Sequence, residues 1–217
     1  MTDKEPGTLH GSNRRRLAAI VFADVAGYTE LSSRDEDAAL RVIGAFQREA
    51  KRATADHEGR VVKFLGDGML AEFNSLDAAV VSSQALQEAF GNMSEAIETD
   101  VALRVGVHLG DVMFSDDGDV YGSGVNVAAR IESHAPPGGI VVSDSAYRHL
   151  RNRKAYQFSS IGEHELKGVP DPMELYVVLP QDQQAPAPAA RVIKAAGPEQ
   201  QVSPAWKFAR WAFAFVV

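Results

Sequence analysis

Cysteine is absent from this sequence of 217 residues. That excludes disulfides, thiol nucleophiles and cysteine-ligated metals, and it fits a reducing compartment. Positive charge is also short. Against 29 Asp and Glu there are 22 Lys and Arg, for a net charge of −7, and the sequence pI is near 5.4. No broad attraction to a polyanion follows from this, so nucleic acid is not an expected partner. Nor is there an apolar run of the roughly twenty residues needed to span a bilayer. The N-terminus, MTDKEPGTLHGSN, lacks the apolar core of a signal peptide, and residues 1–14 read as a disordered leader. What remains is 45% hydrophobic and 24% charged, the composition of a globular domain long enough to bury a real core.

The stretch LAAIVFADVAGYT, Leu17 to Thr29, ends an apolar run at one acid followed closely by a glycine. A continuous apolar run suits a strand buried on both faces, which puts Asp24 where that strand meets the surface. Ser33 and Glu36 have capping-box spacing, so the sequence predicts a helix starting at Ser33. Its apolar stripe is Ala39, Ile43, Phe46, Ala50 and Ala53, ending near Gly59. Val61 to Leu65 and Met69 to Phe73 are strand-like, and Gly66-Asp67-Gly68 between them has hairpin composition. A second helix is expected over Asp77 to Met93, a strand over Val101 to His108, and a separate short strand over Val112 to Phe114. Asp116 to Asp119 form an acidic loop that fails the EF-hand spacing and reads as a turn. VNVAARIES has helical composition. A strand at Ile140 to Ser143, a helix near Asp144 to Leu150, and strands near Tyr156 to Ile161 and Met173 to Leu179 complete the domain, residues 15–180. This order fits an α+β sheet with its helices on one face.

Residues 181–204 are rich in Gln, Ala and Pro and read as a flexible linker. Residues 205–217 are increasingly apolar. They admit two readings: a membrane anchor or truncated transmembrane helix, or a tail that packs on the domain or a partner. Lys207 and Arg210 would keep the domain cytoplasmic in the first case.

The residue types allow a specific chemistry, and each has an ordinary structural alternative. Asp24 could cap the next helix, while Gly27 permits a tight turn with free amides suited to phosphate. Asp67 sits in good turn material whatever its function. If their strands are neighbours, the two acids converge as open ligands for divalent cations whose other ligands are substrate phosphates. Lys63 is the odd residue of an apolar strand, and must snorkel, pair with an acid or bind a ligand. Asn126 and Arg130, four apart, share a helix face and could be an ordinary surface pair.

In this order and spacing, FADVAGYT, KFLGDG and DVYGSGVNVAAR resemble the catalytic domain of the class III adenylate and guanylate cyclases. The resemblance runs from about Arg15 to Leu179, including the closing LKGVPDPMELYVV. It implies a mostly antiparallel sheet with helices packed on it, the ferredoxin-like, palm-type cyclase core. It also implies that Asp24 and Asp67, with the carbonyl of Val25, hold two Mg²⁺ or Mn²⁺ ions per site, while amides at Gly27, Tyr28 and Thr29 receive the triphosphate. Lys63 and Asp119 match the base-reading pair of adenylate cyclases, and their donor and acceptor suit adenine rather than guanine. Asn126 would orient the ribose and Arg130 would neutralise charge on the α-phosphate. A phosphate-contacting lysine of some members aligns with Glu174 here.

The implied activity is conversion of ATP to 3′,5′-cyclic AMP by a cytoplasmic homodimer with sites between protomers. Lys63 and Asp67 are roughly 13 Å apart along an extended strand, so one nucleotide need not meet both in one chain. The alternatives are a guanylate cyclase and a catalytically silent nucleotide-binding regulatory module.

Overall fold

The computed structural model describes residues 14–179. The linker and apolar tail expected from the sequence lie outside the described residues, as does the leader except for Arg14, which opens the first strand. That strand, β1 (Arg14–Ala26), runs through the middle of the sheet. Ala19, Val21, Ala23 and Val25 pack on one side of it, and Ala18 and Ile20 on the other. Successive side chains of a strand point to opposite faces, so burial of both faces gives an apolar run without alternation.

The following helix begins earlier than the capping box suggests. α1 (Tyr28–Arg34) starts directly after Gly27, and Asp35 rather than Ser33 caps α2 (Glu36–Asp56), accepting from the Ala38 amide at 2.8 Å. Ser33 lies inside α1 and donates to the Thr29 carbonyl, a local bond that competes with its expected capping role. The predicted stripe of α2 is otherwise as expected, with Ala39, Phe46, Ala50 and Ala53 buried. β2 (Gly59–Leu65) and β3 (Gly68–Phe73) form the expected hairpin. α3 (Leu76–Ala96) is capped by Ser75.

β4 (Ala102–Phe114) is one continuous strand where two were expected, because all of it pairs with β1, from Ala26↔Ala102 to Arg14↔Phe114. β5 (Val120–Tyr121) folds back on its end. After α4 (Ser123–Glu132) come β6 (Ile140–Ser143), α5 (Asp144–Leu150), β7 (Gln157–His164) and β8 (Met173–Leu179). The strand order is β2-β3-β1-β4-β6-β8-β7, with β5 beside β4. Every pairing is antiparallel except β4 with β6.

The helices do not share one face. Residues of α2, α3 and α5 pack on the face of Val21 and Val105, whereas Ala128 of α4 packs with Ile20 and Leu70 on the other. The crossing depends on Gly106 of β4. A Cβ there would lie 2.4 Å from the Glu132 nitrogen and 2.7 Å from the Ala128 carbonyl oxygen, so only a glycine lets α4 lie this close. Among the described residues no helix is long and apolar enough to cross a membrane.

Candidate active site

The end of β1 and the β2–β3 turn bring Asp24 and Asp67 together. Asp24 pairs with Gly68 across β1 and β3, and the Val25 amide donates to the Asp67 carbonyl at 3.2 Å. A Cβ on Gly68 would stand 3.3 Å from Asp24 Oδ1. Burial pushes the Asp24 carboxyl up to about 6, and the charge of Asp67 pushes the same way; Arg104 and the Val25 amide oppose them. Two acids held near each other in partial burial are unfavourable as bare charges, and a cation relieves both terms. Among the described residues no group of three or more His, Asp or Glu side chains is gathered as a closed cage. Two carboxylates with further positions left to substrate oxygens fit a hard divalent ion such as Mg²⁺ or Mn²⁺.

Beside this pair the chain turns through Gly27, whose φ of 85° is left-handed and therefore suited to glycine. Among the described residues no side chain caps α1, so none of them takes the first-turn amides at Tyr28 and Thr29 as a capping group.

Lys63 pairs with an acid rather than snorkelling. Its Nζ donates to Asp119 Oδ1 and Oδ2 at 2.8 and 2.7 Å, and lies 5.5 Å from the centre of the Tyr121 ring. The Lys63 hydrogen bond holds the Asp119 carboxyl below its usual range. Asp119 reaches Lys63 because β5 folds back on β4 immediately after it, and the Val120 amide also donates to Asp119 Oδ1 at 2.8 Å.

Asn126 and Arg130 lie on the exposed side of α4, opposite buried Val127 and Ala128. Among the described residues no hydrogen bond or ion pair ties their side chains, or joins the Asp24–Asp67 pair to Lys63 and Asp119. The single chain thus presents three groups: the acid pair, the Lys63–Asp119 pair and the α4 pair. Glu174 is engaged elsewhere, accepting from Ser160 at 2.8 Å. A cleft of about 440 Å³ lined by His108, Arg148 and Glu174 contains none of the residues expected to hold metal or nucleotide. His108 there is a buried core residue, bonded to Ser143 at 2.9 Å and driven down to about 4 by burial.

Two residues near the acids were missed in the sequence. Arg104 pairs with Asp24 across β1 and β4, and its buried Nε has no hydrogen-bond partner among the described residues. Glu132, at the end of α4, is pushed up to about 7 by burial, then by Asp24, with Arg104 opposing. The signal for Arg104 was present: like Lys63, it is a charged residue within an apolar strand. Nothing local marks Glu132, whose burial arises from the close seat of α4 on Gly106.

The sequence profile for adenylate and guanylate cyclase catalytic domains matches residues 12–180. A putative adenylate cyclase 3 of Rhizobium meliloti is 42% identical over 79% of this chain and 30% of its own length. An adenylate cyclase of Streptomyces coelicolor is 36% identical over 65% of this chain and 36% of its own. The chain therefore spans about a third of these curated relatives. A human guanylate cyclase soluble subunit beta-2 is 29% identical over 70% of this chain and 27% of its own length. Among solved structures, an adenylate/guanylate cyclase/hydrolase from Silicibacter pomeroyi is 35% identical with a TM-score of 0.67, covering 77% of this chain and 98% of that one. The adenylyl cyclase CyaB of P. aeruginosa, at 21% identity and a TM-score of 0.68 over 78% and 96% of the two chains, shares the fold.

Proposed function

Because the chain belongs to the class III adenylate and guanylate cyclase catalytic domain family, we propose that it converts ATP to 3′,5′-cyclic AMP and pyrophosphate in signal transduction. The observation that carries the choice of nucleotide is the Lys63–Asp119 pair, with Nζ at 2.7 Å from Oδ2. Adenine accepts at N1 and donates from its N6 amino group, so it can enter this pair by taking a hydrogen bond from Lys63 and giving one to Asp119. Guanine offers a donor and an acceptor the other way round, and leaves both charged groups badly matched. The names of the two bacterial relatives agree with this reading.

Asp24, Asp67 and the carbonyl of Val25 would hold two divalent cations, Mg²⁺ or Mn²⁺, which when bound would offset triphosphate charge and favour an ionised ribose 3′-oxygen. The amides at Gly27, Tyr28 and Thr29 would meet the triphosphate. Asn126 would fix the ribose, and Arg130 would offset charge that grows on the α-phosphate. The ribose 3′-oxygen attacks the α-phosphorus, the bond from that phosphorus to the bridging oxygen breaks, and pyrophosphate leaves. Among the described residues no hydrogen bond or ion pair joins the acid pair to the other two groups, which leaves each open to a nucleotide held between protomers. A symmetric homodimer then has two such sites. The same reading makes the domain cytoplasmic, with any membrane contact made through the apolar tail.

Incubation of the chain with Mn²⁺ and either ATP or GTP, with products identified by mass spectrometry, tests the proposal. Cyclic AMP as the main product supports it, and cyclic GMP as the main product points to the guanylate cyclase alternative. Thermal stabilisation by ATP and Mn²⁺ without any cyclic product would leave a silent binding module.

A further inference from the structure

Glu72 is a buried carboxylate, 7% exposed, that the proposed reaction does not use. It lies on β3, paired with Arg60 of β2 and Ile20 of β1. Each of its oxygens takes one guanidinium: Arg16 Nη2 donates to Oε2 at 2.8 Å, and Arg60 Nε to Oε1 at 3.2 Å. Both arginines then reach the same loop. Arg60 Nη1 donates to the Gly118 carbonyl at 2.7 Å, and the Arg16 guanidinium lies 4.1 Å over the Phe114 ring. Phe114 ends β4 and Gly118 precedes Asp119, so the two arginines hold both ends of the segment that delivers Asp119 to Lys63.

The loop's internal bonds cannot do this. The Gly118 amide donates to the Ser115 carbonyl at 3.0 Å, the Ser115 amide to the Asp119 carbonyl at 3.1 Å, and the Asp119 amide to Asp117 Oδ1 at 3.3 Å. They set the loop's shape, and the pairing of Phe114 with Val120 closes it on β4, but none of these contacts fixes Gly118 and Asp119 against β2. Lys63 does tie it, but through the contact that a base must enter. The Arg60–Gly118 bond is independent of the base.

We propose that Arg60, anchored by Glu72 and assisted by Arg16, is the positioning residue that keeps the Asp119 carboxylate in register for reading the nucleotide base. A planar guanidinium can serve Glu72 and Gly118 at once, whereas an ammonium is a point donor. Glu72 in turn needs its two arginines, since a buried carboxylate left unpaired is costly. The inference rests on the reading of Lys63 and Asp119 as the base-recognition pair.

The test measures cyclic nucleotide formation by the whole chain with Mn²⁺-ATP and Mn²⁺-GTP. Arg60→Gln should raise KM for ATP about tenfold and lower the ATP/GTP ratio of kcat/KM about tenfold, as expected for a lost charge-assisted bond, while kcat for ATP stays within about twofold. Fewer folded molecules would lower both nucleotides' rates equally and move neither KM nor the ratio. Arg60→Lys should recover only part of the ratio; full recovery would assign the effect to charge alone and overturn the positioning role. Lys63→Glu is the control. If it shifts the ratio and Arg60→Gln does not, the positioning role falls and base reading stands. If Lys63→Glu leaves the ratio unchanged, base reading falls and takes the inference with it.

Discussion

At the scale of single residues, the end of β1 is governed by carboxyls that burial partly removes from water. The Asp24 carboxyl rises from 3.8 to about 6, so without metal the folded chain prefers the protonated form. Its contribution to stability is complete below about pH 4 and is lost as pH rises through about 6. Glu132, rising from 4.5 to about 7, behaves likewise over a slightly higher window. His108, lowered from 6.5 to about 4, has the opposite sign, its contribution being lost as pH falls through that range. Comparison with Asp24→Asn cancels the contribution of His108, which both chains share. In metal-free buffer the variant should gain stability over the parent as pH rises from about 4 to 7, the gap then levelling off; denaturant titrations at several pH values check this. Mn²⁺ should reverse the order at pH 8 by stabilising only the parent. For base selection, Lys63→Glu should lower the ATP/GTP ratio of kcat/KM roughly tenfold or more, because a charged donor to the base is replaced by an acceptor.

At the scale of elements, the seat of α4 on β4 brings Glu132 towards Asp24 and Arg104, while Arg130 stands on the exposed side of the same helix. Glu132 and Arg130 belong to α4, Arg104 to β4, and Gly106 allows the helix backbone to lie directly on the strand. Gly106→Ala would place a methyl group 2.4 Å from the Glu132 nitrogen, an overlap that the helix must relieve by moving. The expected loss is about 1–3 kcal/mol, seen as a fall of several degrees in Tm, together with reduced cyclase activity in the fraction still folded. The elements themselves were largely legible. The buried run of β1, the stripe of α2 and the Gly-Asp-Gly hairpin follow from local composition and periodicity. The N-terminus of α2 differs from the capping-box expectation because two polar residues compete for one cap and Asp35 takes it. β4 is continuous where local composition suggests two strands, because its far half is held by pairing with β1, a distant contact that no local pattern reports.

At the scale of the whole molecule, the three separate groups predict complementation. A chain carrying Asp24→Ala and a chain carrying Arg130→Ala should each be inactive alone, with Arg130→Ala lowering kcat roughly a hundredfold. Mixed, they should regain activity through the one heterodimer site that has both partners intact. Activity is read after mixing and dimer exchange is followed separately, and absence of recovery in proven mixed dimers would sink the shared site. The amino-acid sequence by itself determined most of the elements, the two acids at turns, the charged oddity in β2 and the resemblance of three motifs. These depend on neighbours within a few residues or on residue identity in fixed order. The resemblance named Lys63 and Asp119 as a pair, and only the tertiary structure decided that they bond to each other in one chain, that α4 lies across Gly106 on the opposite face, that Arg104 and Glu132 join the acids, and that Glu72 gathers two arginines. Each of those facts is a meeting of side chains or backbones from different elements, set by sheet order and packing.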